Sequence, residues 1–362
     1  MDWKYENFKK MVSEYFIQKG WILKQETKDV LEKNYTQQFF SKQHRKYLVD
    51  DSLFYEKLHE LFATSSLKKM ELKSLKNEKS DTDLIIAGYQ TVINQIDFKT
   101  MPEHASYYSF QPVIRLNGLS ECGVIEGFLS SFVNICLVDV NTTMDEYIHN
   151  IDLWITILSK LSLHSSGIQL IFKNKTNAFD GLGVEFQYKG IEIGQANLYQ
   201  YVNEGQKFLI SDFGFGYERL LWVINGGKSF FDPIVDKYDI IHSNIKECDR
   251  IRTAVLLIMN GITPATNGVG KYSRMLVSQA PNIGLERYLD LRVLRYYTFY
   301  KKFIKPKLSY EQTIRILRSE IDYCLLKQDY IVAGYNFPKH FTGSIFLDYE
   351  SLYYKKENGD IK

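Results

Sequence analysis

From Gly167 to Gly227 the chain runs through "GIQLIFKN", "GVEFQYKG", "IEIGQANLYQYV" and "KFLISDFG", and then into "YERLLWVINGG". Four short runs rich in aromatic and β-branched residues, joined by glycine-bearing turns, read as strands. Turns this short leave no room for a crossover helix, so consecutive strands must pair antiparallel. The segment is a meander that ends in a helix, which excludes a βαβ repeat.

The flanking sequence supplies the other layer. "YENFKKMVSEYFIQKGWIL" places apolar residues at helical spacing and stops at Gly20; "TTMDEYIHNIDLWITILSKLSLH" is a helix opened by threonine. "DLIIAGYQTVIN", "YYSFQPVIRLNG" and "GVIEGFLSSFVNICLVDVN" read as β-like. Residues 28–80 are polar and lysine-rich, and are read as surface helices and a loop. Beyond about 240, "DRIRTAVLLIMNG", "GLERYLDLRVLRYYTFYKKFI" and "SYEQTIRILRSEIDYCLLKQ" are helical, the last with a Ser309–Gln312 capping box. Residues 328–362 are less regular. The expected fold is α+β: an antiparallel-sheet domain over 1–240, with an insertion at about 31–80, followed by a helical domain over 241–362.

The 362 residues carry a net charge of +2, too small to argue for a nucleic-acid partner and no bar to one. Four cysteines lie far apart without a CxxC pair, and the seven histidines form no metal-binding spacing. No apolar run reaches membrane-spanning length and the N-terminus lacks a signal-peptide core, so a reduced, cytoplasmic protein with no membrane partner is expected.

Strand parity sorts the meander's side chains. Glu185 and Gln187 lie opposite Val184 and Phe186; Gln195 and Asn197 share one side, with Glu192 and Gln200 on the other; Asp212 lies with Phe208 and Ile210. A polar face that also keeps Gly194 and Ala196 has room for a flat ligand, although a half-solvated sheet with ordinary polar residues gives the same pattern. Two arginines weigh against that plainer reading. Arg115 ends the strand "SFQPVIR", and Arg219 follows the glycine-spaced "GFGYER". Each is a planar fork suited to phosphate, and neighbouring glycines allow close approach.

These segments resemble the class II aminoacyl-tRNA synthetases. "DFGFGYERLL" is similar to motif 3 of that class and "FQPVIRLNG…EGFLSSFVN" to motif 2. Within the class the order of "FKKMVSEYFIQKGW", "GLGVEFQYKG", "IEIGQANLYQY" and "DRIRTAVLLIMNGITPATNGVGKY" is most similar to the catalytic and helical domains of alanyl-tRNA synthetase. The resemblance spans roughly 7–30 and 83–325. It implies ATP- and Mg²⁺-dependent activation of a small amino acid, alanine first, as an aminoacyl-adenylate. Arg115 would then bind the α-phosphate and carboxylate, Arg219 the far end of a bent ATP, and Asp212 the amino group. Gln195 and Asn197 would contact the amino acid, Gly214, Gly216 and Phe128 would surround the nucleotide, and Glu185 and Glu192 would be Mg²⁺ or ribose ligands.

The chain departs from the family after the helical domain, where no editing domain follows. The motif 2 loop is shortened, and "YSRMLVSQA" keeps only Arg274 of an arginine-rich helix, which weakens the case for tRNA. The favoured acceptor is therefore a small molecule, peptide or carrier protein in a biosynthetic pathway. A stand-alone enzyme charging tRNA and a non-catalytic regulator remain as alternatives, and a homodimer is open. His104, His164 and a thioester-forming Cys122 are weaker candidates, and the aromatics of "RYYTFYKKF" are core residues first.

Overall fold

The computed structural model describes residues 5–25, 29–33, 50–65, 67–71, 74–77, 82–96, 101–175, 181–203, 206–226, 230–231, 244–280 and 288–332. The chain divides into two compact units. One comprises Met1–Glu71, Ala87–Gln111 and Val133–Ile234; the other comprises Leu72–Ile86, Pro112–Phe132 and Val235–Lys362. The expected boundary at 240, residues 34–49 of the expected insertion, and residues 333–362 lie outside the described residues. The second unit also takes up two segments from the first 240 residues, so Arg115 and Phe128 belong to it.

The first unit holds the α+β core. Its elements are α1 (Tyr5–Gln18), β1 (Trp21–Gln25), β2 (Asp29–Lys33), α2 (Asp51–Ala63), β3 (Lys68–Lys69), α3 (Gly88–Ile93), β4 (Ala105–Ile114) and β5 (Ser131–Thr142). Then follow α4 (Met144–Lys160), β6 (Ile168–Lys175), β7 (Gly181–Tyr188), β8 (Ile191–Asn203), β9 (Gln206–Gly216) and α5 (Tyr217–Asn225). Among the described residues nine strands form one sheet in the order β1-β2-β6-β7-β8-β9-β5-β4-β3, antiparallel through the meander, with the short β3 parallel to β4.

Local signals explain several ends. Gly20 takes φ +82° beyond α1, a conformation that costs glycine nothing. Thr143 and Glu146 form a reciprocal capping box at α4: the Glu146 N–H donates to Thr143 Oγ1 at 3.2 Å and the Thr143 N–H to Glu146 Oε2 at 2.8 Å. One sheet face is covered by α1, α2 and α4. Trp154 stacks on Phe215 with ring centroids 3.8 Å apart, Tyr147 meets Phe213 at 5.4 Å, and Phe8 meets Phe172 edge-on at 6.1 Å.

Three expectations are corrected. "DLIIAGYQTVIN" is no strand; its core is α3, whose Val92 packs on Cys136, Val138, Val140, Phe208 and Ile210. This helix covers part of the face expected to be open. The segment 28–80 does not form only surface helices, since α2 buries Phe54, Leu58 and Phe62, and residues 29–33 form an edge-proximal strand between β1 and β6. Gly194 leaves no room for a ligand: a Cβ there would lie 2.3 Å from the Phe215 ring, so this glycine serves the helix-covered core.

Asp139 sits within that covered face, fully buried, accepting from Ser211 Oγ and from Asn150 Nδ2, both at 2.6 Å. Burial is the largest influence on its carboxyl and raises its pKa above the usual aspartate value. The folded state therefore takes up a proton there, and this group lowers stability as pH rises from the unfolded value through the folded one. Asp139→Asn, which keeps the carbonyl acceptor, is expected to raise the midpoint of thermal unfolding at pH 7 and to flatten its decline above pH 4. Thermal melts across pH 4–8 check this; an unchanged pH profile would show that Asp139 does not govern it.

The described residues of the second unit beyond 244 include four helices, α6 (Ile245–Met259), α7 (Gly270–Ser278), α8 (Leu289–Lys301) and α9 (Tyr310–Val332). Gly261 follows α6 at φ +78°, and the Ser309–Gln312 box opens α9, with Ser309 N–H to Gln312 Oε1 at 2.8 Å and Gln312 N–H to Ser309 Oγ at 3.2 Å. Tyr296, Tyr297 and Tyr300 of α8 are buried, as the helical spacing of "RYYTFYKKF" implies. Helix α6 is buried along most of its length and includes charge. Asp249 accepts the Ser130 N–H at 3.0 Å and pairs with Arg250 at 2.7 Å; the Arg250 guanidinium also donates to the carbonyls of Leu119 and Cys122. These charge-assisted bonds tie the loop backbone at Leu119 and Cys122 to α6.

Candidate active site

The antiparallel register places chemistry on the sheet face away from α4. Directly opposed residues point to the same side, so Gly183, Asn197, Asp212 and Val138 form one cross-strand row, and Glu185, Gln195, Gly214 and Cys136 the next. Asp212 and Asn197 are 7% and 8% exposed, so the acid sits under cover rather than on an open surface. The glycine at 214 faces Asn134; a Cβ would come 3.3 Å from its Oδ1, which keeps this row shallow. Gly216 ends β9, and α5 begins at Tyr217.

Glu192 reaches this face against its parity. A bulge in β8 pairs Phe186 with Gly194 but Gln187 with Glu192, so Ile193 is the extra residue and the alternation resets. Gln195 Nε2 consequently donates to Glu192 Oε1 at 3.0 Å. The expectation that Glu192 lies opposite Gln195 is thereby corrected.

Arg219 stands on the first turn of α5, with its side chain 25% exposed. Its Nη1 donates to the Glu192 carbonyl at 3.0 Å and lies 3.9 Å from Glu192 Oε1. The adjoining Glu218 is turned the other way and buried at 2% exposure. Its Oε2 accepts the Val133 N–H at 2.9 Å and braces the start of β5. The Glu-Arg pair thus splits into a structural acid and an arginine fixed at one edge of the polar face.

Glu185 does not pair with Glu192 as a metal site. Its Oε2 lies 2.5 Å from Lys173 Nζ and its Oε1 accepts from Gln187 Nε2 at 2.6 Å. An ammonium already occupies the place where a cation would sit, and among the described residues no group of three or more His, Cys, Asp or Glu side chains could hold a metal ion. The donor set does not fit a protein-held Mg²⁺. The sequence reading missed Lys173, although the alternation of "GIQLIFKN" carries it to the Glu185 side of β6.

Three tyrosines surround Asp212 that the sequence reading also missed. Tyr199 and Tyr201 follow Asn197 on the same side of β8, and Tyr89 reaches over from α3; the Tyr89 and Tyr199 rings are 5.9 Å apart. All three phenols have raised pKa values, first through burial, with the Asp212 charge contributing in each case; Tyr201 is pushed up to about 12.

In the second unit Arg115 directly follows β4. Its Nε donates to the Ile86 carbonyl at 2.9 Å, its guanidinium lies 5.0 Å from the Phe132 ring centre, and its backbone N–H pairs with Ser130 O at 2.9 Å. Phe128, 45% exposed, lies in the loop beyond.

The weaker candidates take structural places. His164 caps a short turn through Ser166, and His104 lies 3.4 Å from Glu146. Burial pushes the Cys122 thiol up to about 12, which disqualifies it as a nucleophile near neutral pH. Cys136 and Cys324 are likewise pushed up to about 12, and Cys248 is fully buried. A thiol reagent such as dithionitrobenzoate is expected to find no fast-reacting thiol in native protein at pH 7.5, and all four in denaturant. A rapid native stoichiometry of one would restore a reactive cysteine.

Among the described residues no helix is long and apolar enough to cross a membrane. No family model matches the chain, and no curated protein matches it. Among solved structures it is similar to pyrrolysyl-tRNA synthetase from Desulfitobacterium hafniense, at TM-score 0.39 and 12% identity over 52% of this chain and 75% of that one. It is also similar to asparaginyl-tRNA synthetase from Entamoeba histolytica, at TM-score 0.34 and 9% identity over 50% of this chain and 63% of that one; one such structure is a complex with asparaginyl-adenylate. Likenesses this distant assign no residue a role and name no amino acid.

Proposed function

We propose that this chain is an adenylate-forming ligase with a class II synthetase-like catalytic unit, activating the carboxylate of an amino compound with ATP. The observation that carries the reading is the shared face of β7, β8 and β9, where Asp212 and Asn197 lie in one row, Gln195 and Gly214 in the next, and Arg219 at the edge. In the proposed reaction a substrate carboxylate oxygen attacks the α-phosphorus of ATP. One P–O bond forms, the bond to the bridging oxygen breaks, and pyrophosphate leaves with that electron pair. Such a step needs alignment and positive charge more than covalent help.

Asp212 is the proposed partner of the ammonium. Arg219 is the proposed phosphate fork. Arg115 keeps its proposed α-phosphate role on its motif and its position directly after β4. Mg²⁺ is not assigned to Glu185 or Glu192.

Alanine stands first among the amino acids only through the sequence resemblance. Transfer to a small molecule, peptide or carrier protein is favoured over tRNA, because Arg274 is engaged elsewhere: Nε and Nη2 donate to Glu320 at 2.7 and 3.2 Å. The single arginine left in that segment is thus tied to a carboxylate rather than offered to phosphate. Amino-acid-dependent ATP–pyrophosphate exchange without tRNA, scanned over the common amino acids and their N-methyl derivatives, tests the reading. Exchange with one substrate class supports it; no exchange with any of them overturns it.

A further inference from the structure

One side chain on the polar face reaches both halves of the proposed reaction. The bulge at Ile193 brings Glu192 to the side of Gln195, where a single carboxylate oxygen meets two groups. Glu192 Oε1 accepts from Gln195 Nε2 at 3.0 Å and lies 3.9 Å from Arg219 Nη1. The Glu192 carbonyl accepts from that same Nη1 at 3.0 Å, so main chain and side chain face the guanidinium together. The stem of Arg219 is close-set as well, since a Cβ on Gly216 would lie 3.3 Å from Arg219 Cβ. A carboxylate accepts and does not donate, so it takes the NH₂ end of the Gln195 amide and turns the Gln195 carbonyl away from itself. At ion-pair distance it also competes with any phosphate for the Arg219 fork, because both are anions.

Resting on the adenylation reading but going beyond it, we propose that Glu192 is a positioning residue that links the phosphate fork Arg219 to the amino-acid contact Gln195. Before phosphate arrives, the carboxylate shares its charge between the guanidinium and the amide. Phosphate draws the guanidinium to itself, and the carboxylate then polarises toward Gln195 Nε2. The Gln195 amide is thereby held with its carbonyl end available as an acceptor for an ammonium. Glu192 touches neither reacting atom; it acts through Arg219 and Gln195.

The test is a pyrophosphate titration of the full chain in metal-free buffer. It is followed through the side-chain amide signals of Gln195, assigned by their loss in Gln195→Met. Pyrophosphate is expected to bind the unsubstituted protein, and to bind Arg219→Ala about tenfold or more weakly. Glu192→Gln and Glu192→Ala should each bind it about threefold to tenfold more tightly, because a competing anion has left the fork. Saturation should move the Gln195 signals in the unsubstituted protein and leave them in place in Glu192→Ala. A brace with no part in recognition would produce neither the tightening nor the loss of coupling. Unchanged affinity in both Glu192 variants, equal movement of the Gln195 signals with and without Glu192, or no pyrophosphate binding at all would overturn the proposal. ATP–pyrophosphate exchange runs in parallel. KM for whichever amino acid supports exchange should rise about tenfold in Glu192→Ala and recover in part in Glu192→Gln, which keeps a carbonyl acceptor. Pyrophosphate coupling without exchange for any amino acid leaves the link between Arg219 and Gln195 standing and removes adenylation. Exchange that is indifferent to both Glu192 variants removes the link and leaves adenylation standing.

Discussion

Arg219→Ala is expected to lower ATP–pyrophosphate exchange by about 10²–10³-fold, the equivalent of about 3–4 kcal/mol of lost stabilisation at the phosphates. The side chain is a quarter exposed, and its contacts include one carbonyl bond and a distant carboxylate, both on Glu192. Glu192 keeps the Gln195 amide when the guanidinium is gone. Unfolding by urea should therefore move little, by about 1 kcal/mol or less, as for other half-exposed pairs. Arg219→Lys separates charge from shape. The ammonium keeps the positive charge but not the planar fork, so intermediate activity is expected. Exchange within tenfold of the unsubstituted protein in Arg219→Ala would reduce Arg219 to a brace for β8 and remove it from the chemistry.

Arg274→Met has its effect on stability. Glu320 is fully buried, and two bonds from the guanidinium hold it while the guanidinium lies 4.8 Å from the Tyr323 ring centre. Removing one partner of a buried pair strands the other, at a cost of about 3–5 kcal/mol. Burial already raises the Glu320 carboxyl pKa, and Arg274 is the main influence that lowers it. Without Arg274 that pKa rises further, so the folded variant binds a proton more readily than the unfolded chain. The deficit should accordingly be largest above the raised folded value and shrink as pH falls toward the unfolded glutamate value. Arg274→Met with Glu320→Leu should recover most of the loss, since an apolar pair of similar volume is often no less stable than the ionic one. Denaturant titrations at pH 5 and pH 8 check both statements. A single variant as stable as the parent would mean that Glu320 has found another partner.

Much of this architecture was legible in the chain. Short glycine turns forced the antiparallel meander, and the threonine before α4 and the Ser309–Gln312 box marked helix starts because their signal is local and chemical. Asp212, Asn197, Gln195 and Gly214 share a face because alternation holds from Gly194 through the whole of β9. Alternation failed where the backbone broke it. Glu192 lies beyond the bulge, and nothing in "KGIEIGQ" announces that Ile193 is supernumerary. Helix α3 was hidden because six residues span fewer than two turns, too short for a 3.6-residue period, and its apolar residues read equally well as a strand. Partnerships remote in sequence were also invisible. Arg274 with Glu320, Lys173 with Glu185, and Tyr89 with Tyr199 are meetings that only the fold arranges.

The extra residue in β8 interrupts the ladder without rearranging the polar face. Deleting Ile193 would leave Phe186 opposite Gly194 and Gln187 opposite Glu192 in an unbroken ladder, so Glu192 would keep its side and only the bulge would be lost. A homologue lacking that residue would therefore present Arg219 with the same carboxylate on a less twisted strand. The bulge is thus a place where this hairpin can change length by one residue without changing which side chains share the polar face.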